Sequence, residues 1–153
     1  MVLLMRYFIV AFEYPAIPPT DNTPIIAGNI RTFFAQQRSY DGLTNGGVIK
    51  KAKLVPDEMW DGDSIKNVWG YNFNIELYDE NKNNDSFYLQ FKLPEEDCIE
   101  IATHDWFAAN AFAVSIRGDD SHSFRSPISI DEAIIYCQGT EGDSADGIEI
   151  YFK

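Results

Sequence analysis

An α+β domain, with a mostly antiparallel sheet of six or seven strands and two helices, is the fold class the sequence predicts. Three patterns predict it. Apolar and polar residues alternate over residues 69–78 and again over 87–93, the period of two that half-buried strands require. Ile26, Ile30, Phe33 and Phe34 fall on one side of a 3.6-residue repeat. Ser129 followed by Glu132 forms a capping box in front of a second, shorter helical repeat. The 153 residues, 45% apolar and 14% aromatic, match the length of one compact domain and supply enough large side chains for a core. Residues 1–153 are therefore read as a single domain, and that composition excludes wholesale disorder.

In chain order, residues 3–14 are rich in Leu, Ile, Val, Phe and Tyr without a turn residue, which suits a strand buried on both faces. Four of the seven prolines fall in residues 15–24, which must be an ordered loop or extended connector because proline lacks the amide donor. Thr23 and Pro24 then start a helix that runs to about Arg38, weakened slightly by Gly28. After a turn at 41–47, residues 48–55 read as a strand whose Lys50, Lys51 and Lys53 mark an exposed edge. Residues 69–78 and 87–93 pair as a hairpin across the polar turn 79–85, with Trp69, Phe73, Leu89 and Phe91 on the buried face.

Beyond Pro94, the acids Glu95, Glu96 and Asp97 lead into a short strand at 98–102. Thr103 or Asp105 caps one helical turn reaching Asn110, and 111–117 is a further strand. A polar loop fills 118–127. Ile130, Ala133, Ile134 and Cys137 then stand at i, i+3, i+4 and i+7 of a short amphipathic helix with Gly139 just past its end. An acidic loop at 141–147 precedes a terminal strand carrying Ile148, Ile150 and Phe152.

Signatures of chemistry are missing. The longest apolar run, residues 2–12, is broken by Arg6 and lacks both a basic leader and a small-residue cleavage site, so no membrane span or signal peptide is expected. The reading is a cytoplasmic chain that starts at Met1. Cys98 and Cys137 lie in apolar surroundings and read as two buried, reduced thiols. There is no CxxC pair, and His104 and His122 lack ligand spacing, which argues against zinc. Asp79, Asn81, Asn83 and Asp85 begin like a calcium loop, but Asn84 and Gln90 stand where Gly and Glu are required. Asp61, Asp63 and Ser64 form at most a weak cation arrangement. Phosphate-binding glycine motifs are absent, and no cofactor is expected. A small enzyme or ligand-binding domain with a site assembled around Cys98 and His104 is the alternative, its catalytic candidates being Cys98 or Cys137 with His104 or His122 and Asp105.

Charge is the most informative property. Residues 1–78 carry 8 acids and 7 bases, whereas residues 79–153 carry 16 acids and 5 bases, out of a total net charge of -12. Such a field disfavours direct contact with nucleic acid and steers a basic protein toward the domain. The candidate partner-binding residues are Trp60 with Asp61 and Asp63, the run Glu95, Glu96 and Asp97, and the pair Asp119 and Asp120, an aromatic anchor set among acids. Small, acidic and motif-poor, the whole chain resembles bacterial immunity proteins in character. That resemblance implies a non-enzymatic, cytoplasmic inhibitor that binds a cognate basic toxin, such as a nuclease, in place of the phosphates the toxin would meet. A phage-encoded inhibitor that mimics nucleic acid follows the same charge logic. A third reading, a structural component of a larger assembly, predicts self-association.

Overall fold

The structure, a computed structural model, describes residues 22–78, 83–116, 123–138 and 147–153. The strand expected at 3–14, and most of the loops expected at 118–127 and 141–147, lie outside the described residues. The fold class is the expected one, α+β with antiparallel sheets.

Helix α1 (Asn22–Phe33) buries Thr23, Ile26, Ala27 and Ile30; of the face that the sequence periodicity marks, Ile26 and Ile30 are buried as expected, whereas Phe33 is half exposed. It stops at Phe33 rather than near Arg38, and Phe34 remains in the core through a last amide bond to the Ile30 carbonyl at 3.0 Å. Residues 48–55 correct the expected edge strand. The backbone there winds helically, with the Ala52 amide bonded to the Val48 carbonyl at 2.8 Å and Leu54 to Ile49 at 3.0 Å. Ile49, Leu54 and Val55 turn inward while Lys50, Lys51 and Lys53 stay exposed. The apolar positions there never alternated, so no strand could have buried them on one face. A two-stranded ribbon follows, β1 (Trp60–Asp61) and β2 (Ser64–Ile65), joined through Gly62 at φ +65°.

The main sheet contains β3 (Phe73–Tyr78), β4 (Ser86–Phe91), β5 (Ala111–Ile116), β6 (Ser123–Phe124) and β7 (Ile148–Phe152) in the order β3-β4-β7-β5-β6. Every neighbouring pair is antiparallel. The expected hairpin is β3 with β4, and its register sets Phe73 opposite Phe91 with stacked rings 5.3 Å apart. Phe87 stacks on Phe152 at 5.4 Å across the next pair. Phe73, Leu89 and Phe91 are buried as expected, but Trp69 sits in the turn before β3. The Asn67 side-chain oxygen accepts from the Trp69 and Tyr71 amides at 3.2 and 3.0 Å, which fixes that turn and delays the strand to Phe73. Truncating Phe73 to alanine should cost about 3–5 kcal/mol, read as a lowered urea midpoint, because it empties a stacked core position. An unchanged midpoint would remove this ring from the core.

Helix α2 (Glu95–Thr103) replaces the short strand expected at 98–102. Glu95, Glu96 and Asp97 occupy its first turn, where negative charge complements the helix dipole, and Cys98, Ile101 and Ala102 form the buried i, i+3, i+4 stripe. Asp105 caps the short 3-10 turn Trp106–Ala109 by accepting from the Ala108 amide, as expected. Helix α3 (Ile130–Tyr136) carries the expected capping box. The Ser129 hydroxyl accepts from the Glu132 amide at 3.2 Å while the Glu132 carboxylate accepts from the Ser129 amide at 3.2 Å. Ser129→Ala should lower stability by about 1 kcal/mol in a thermal melt.

Cys98 and Cys137 are joined in a disulfide, with their Cα atoms 5.8 Å apart, so the expectation of reduced thiols is corrected. Their burial is as expected, both being fully buried. Their pairing follows from α2 packing on α3, a tertiary contact that no local pattern announces.

Candidate assembly surface

Each of the sequence-derived partner residues that the structure describes has a definite place. The Lys50 ammonium donates to the Gly62 carbonyl at 3.0 Å, pairs with the Asp63 carboxylate at 3.2 Å and lies 5.1 Å from the Trp60 ring centre. Trp60 and Asp63 thereby hold the β1–β2 ribbon against the helical turn, with Asp61 exposed beside them. Asp63 is almost fully exposed, so the ion pair adds little energy and its effect is mainly positional. Glu95, Glu96 and Asp97 stand on α2. The Asp97 carboxyl is pushed above its usual range by burial and by Glu100, against a lowering hydrogen bond from Trp69. No hydrogen bond or ion pair among the described residues joins this run to Trp60. Asp119 and Asp120 lie outside the described residues. The alternative enzymatic site loses its nucleophile, since Cys98 is bonded to Cys137. His104 is exposed and packs edge-on against Trp106 at 4.6 Å.

The outward face of the sheet is aromatic. The Tyr88 hydroxyl donates to Glu76 at 2.9 Å and the Tyr151 hydroxyl to Glu149 at 2.7 Å, with the two rings 5.1 Å apart. Burial first, and then the adjacent carboxylate, raises both phenols well above the ordinary tyrosine value. A raised folded-state pKa means that the folded chain holds a proton the unfolded chain releases. The stability this contributes is fully present below about pH 10, the unfolded phenol range, and is lost as pH rises beyond it. Urea midpoints should fall above that pH, and the fall should be shallower in Tyr151→Phe.

Two further surfaces were not singled out in the sequence. Helix α3 leaves Ile130, Ile134 and Ile135 exposed by 63%, 46% and 59%, with Asp131 set among them, while Ala133 and Cys137 face the core. This corrects the expected stripe of Ile130, Ala133, Ile134 and Cys137, of which only Ala133 and Cys137 are buried: a seven-residue helix with isoleucines at 130, 134 and 135 is apolar on more sides than one core can use. The second surface is a pocket of about 330 Å³ at the end of α1, lined in part by Arg31, Phe34, Arg38, Tyr40, Asp85 and Lys153. Arg31 donates to the Lys153 carbonyl at 2.8 Å, and Phe33 beside the pocket is half exposed. Burial raises the Tyr40 phenol most, Arg31 pulls it down and Asp85 adds to the rise.

A family model described as Bundlin matches residues 21–153. Among solved structures, the crystal structure of the type IV b pilin from Salmonella typhi superposes with a TM-score of 0.64 at 15% identity, covering 88% of this chain and 96% of that one. At that identity the likeness establishes a shared fold. No curated protein matches. These findings indicate a pilin-like protein and overturn the resemblance to immunity proteins, together with the basic toxin as partner and the cytoplasmic placement. The reason is physical: size and negative charge are shared by many folds, whereas a family model weighs residue preferences along the chain. The disulfide agrees with the correction, because such bonds persist in oxidising compartments.

Proposed function

The chain belongs to the Bundlin family, and from that premise we propose that it is a pilin-type subunit, a non-enzymatic building block that associates with copies of itself in a filament at the cell surface. The family match over residues 21–153 carries this reading. The pilin-like fold supports it, as does a cystine bridge suited to an exported protein. The isoleucines exposed on α3 also support it, since large apolar side chains grouped in solvent commonly mark a surface that meets a partner.

The experiment is to shear surface filaments from the native host and label them with an antibody against this chain. Regular labelling along the filaments, with an oxidised Cys98–Cys137 pair in the recovered subunit, is the expected result. Filaments that never carry the chain, with the protein recovered from the cytosol bearing free thiols, would defeat the proposal.

A further inference from the structure

The ridge on α3 and the pocket at the end of α1 are opposite in sign and both contain exposed apolar surface. On α3, Ile130, Ile134 and Ile135 surround Asp131. At α1, Arg31 and Arg38 outnumber Asp85 at the pocket, where Lys153 presents the carbonyl that Arg31 donates to while its ammonium lies over the Phe112 ring, and Phe33 lies exposed beside it. Among the described residues, none that lines the pocket belongs to α3. If α3 packed on a second α3 about a two-fold axis, the contact would set Asp131 against its own copy as the isoleucines excluded water, and like charges brought together at an interface repel. Against the basic pocket the same carboxylate meets arginine.

We infer that the α3 ridge of one copy seats against the Arg31–Arg38 pocket of the next copy, an inference that rests on the subunit reading above. Ile134 and Ile135 lie against Phe33, and Asp131 is directed at the Arg38 guanidinium, which is exposed, pairs with no carboxylate among the described residues and can donate to this one. The charge arrangement matters because a chain of net charge -12 repels its copies over most of its surface. The Arg31 and Arg38 side chains are where an acidic ridge can approach. The two surfaces differ, so a bound pair still exposes one free ridge and one free pocket, and the contact propagates instead of closing at two copies.

A benzoylphenylalanine photocrosslinker in place of Ile135, in filaments of the native host, tests the contact directly. The expected adduct joins position 135 to a peptide within residues 31–40 of a neighbouring copy. Filaments that contain the chain but give no such adduct, or give it to another segment, overturn the contact and leave the subunit reading standing. The complete absence of filaments carrying the chain overturns the subunit reading itself. A charge exchange supplies the second measurement: Asp131→Arg or Arg38→Asp alone should cut filament yield by about tenfold while each variant still unfolds cooperatively, and the two together should restore it. Failure of the double variant to restore assembly overturns the pairing of these two side chains.

Discussion

Replacing Gly147 by alanine should cost at least about 4 kcal/mol, the range reserved for substitutions that force a backbone to move. Gly147 adopts φ +76°, a left-handed conformation that side chains resist, and it is buried immediately before β7. A Cβ there would lie 2.0 Å from the Phe91 carbonyl oxygen and 2.8 Å from the Lys92 Cα. Both obstacles are main chain at the end of β4, so no rotamer change relieves them. Strand β7 pairs with β4 on one side and β5 on the other, so shifting its start disturbs two ladders at once. Gly28→Ala is the internal control. Gly28 lies within α1 with nothing within 4 Å of a new Cβ, so alanine there should stabilise by about 0.5–1 kcal/mol. Paired urea titrations decide both; a Gly147→Ala protein as stable as the parent would mean that β7 enters the sheet by another path.

Removing the disulfide should be the other large loss. The Cys98–Cys137 bond closes a loop with a sequence separation of 39, and chain-entropy arguments assign such a loop about 4 kcal/mol of stabilisation. Cys98→Ala with Cys137→Ala should therefore lower the unfolding free energy by that order, read from the denaturant midpoint at constant slope. Because both sulfurs are fully buried, reductant should act on the native protein only as fast as α2 and α3 separate. Rapid reduction under native conditions, without loss of stability, would show that the bond constrains little.

The hairpin β3–β4, the capping box before α3 and the stripe on α1 were legible because each is a local repeat whose period names its structure. Residues 98–102 misled because Cys98, Glu100 and Ala102 alternate with Ile99 and Ile101 while Cys98, Ile101 and Ala102 also fit a helix. Pro94 followed by three acids decides for the helix. The candidate site was less legible still. Arg31, Arg38 and Lys153 meet through tertiary packing across more than a hundred residues of sequence, as Cys98 and Cys137 meet through helix packing. Trp60 and Asp63 were visible as an aromatic set among acids, but Lys50, which holds both, comes from a segment whose helical winding the lysines obscured.

The bridge between α2 and α3 also governs how the molecule would respond to mechanical load. A chain pulled from its two ends lengthens by about 3.3–3.6 Å for every residue released, but residues enclosed by a covalent link carry no tension and cannot pay out. The 39-residue separation between Cys98 and Cys137 thus withholds roughly 130 Å of contour length from any stretching force. Tension passes through the sulfur atoms and bypasses β5, α3 and the 3-10 turn between α2 and β5. A subunit pulled hard enough to lose β3, β4 and β7 would still retain that segment as a closed, short-tethered knot of structure from which the sheet can be rebuilt once the load is removed.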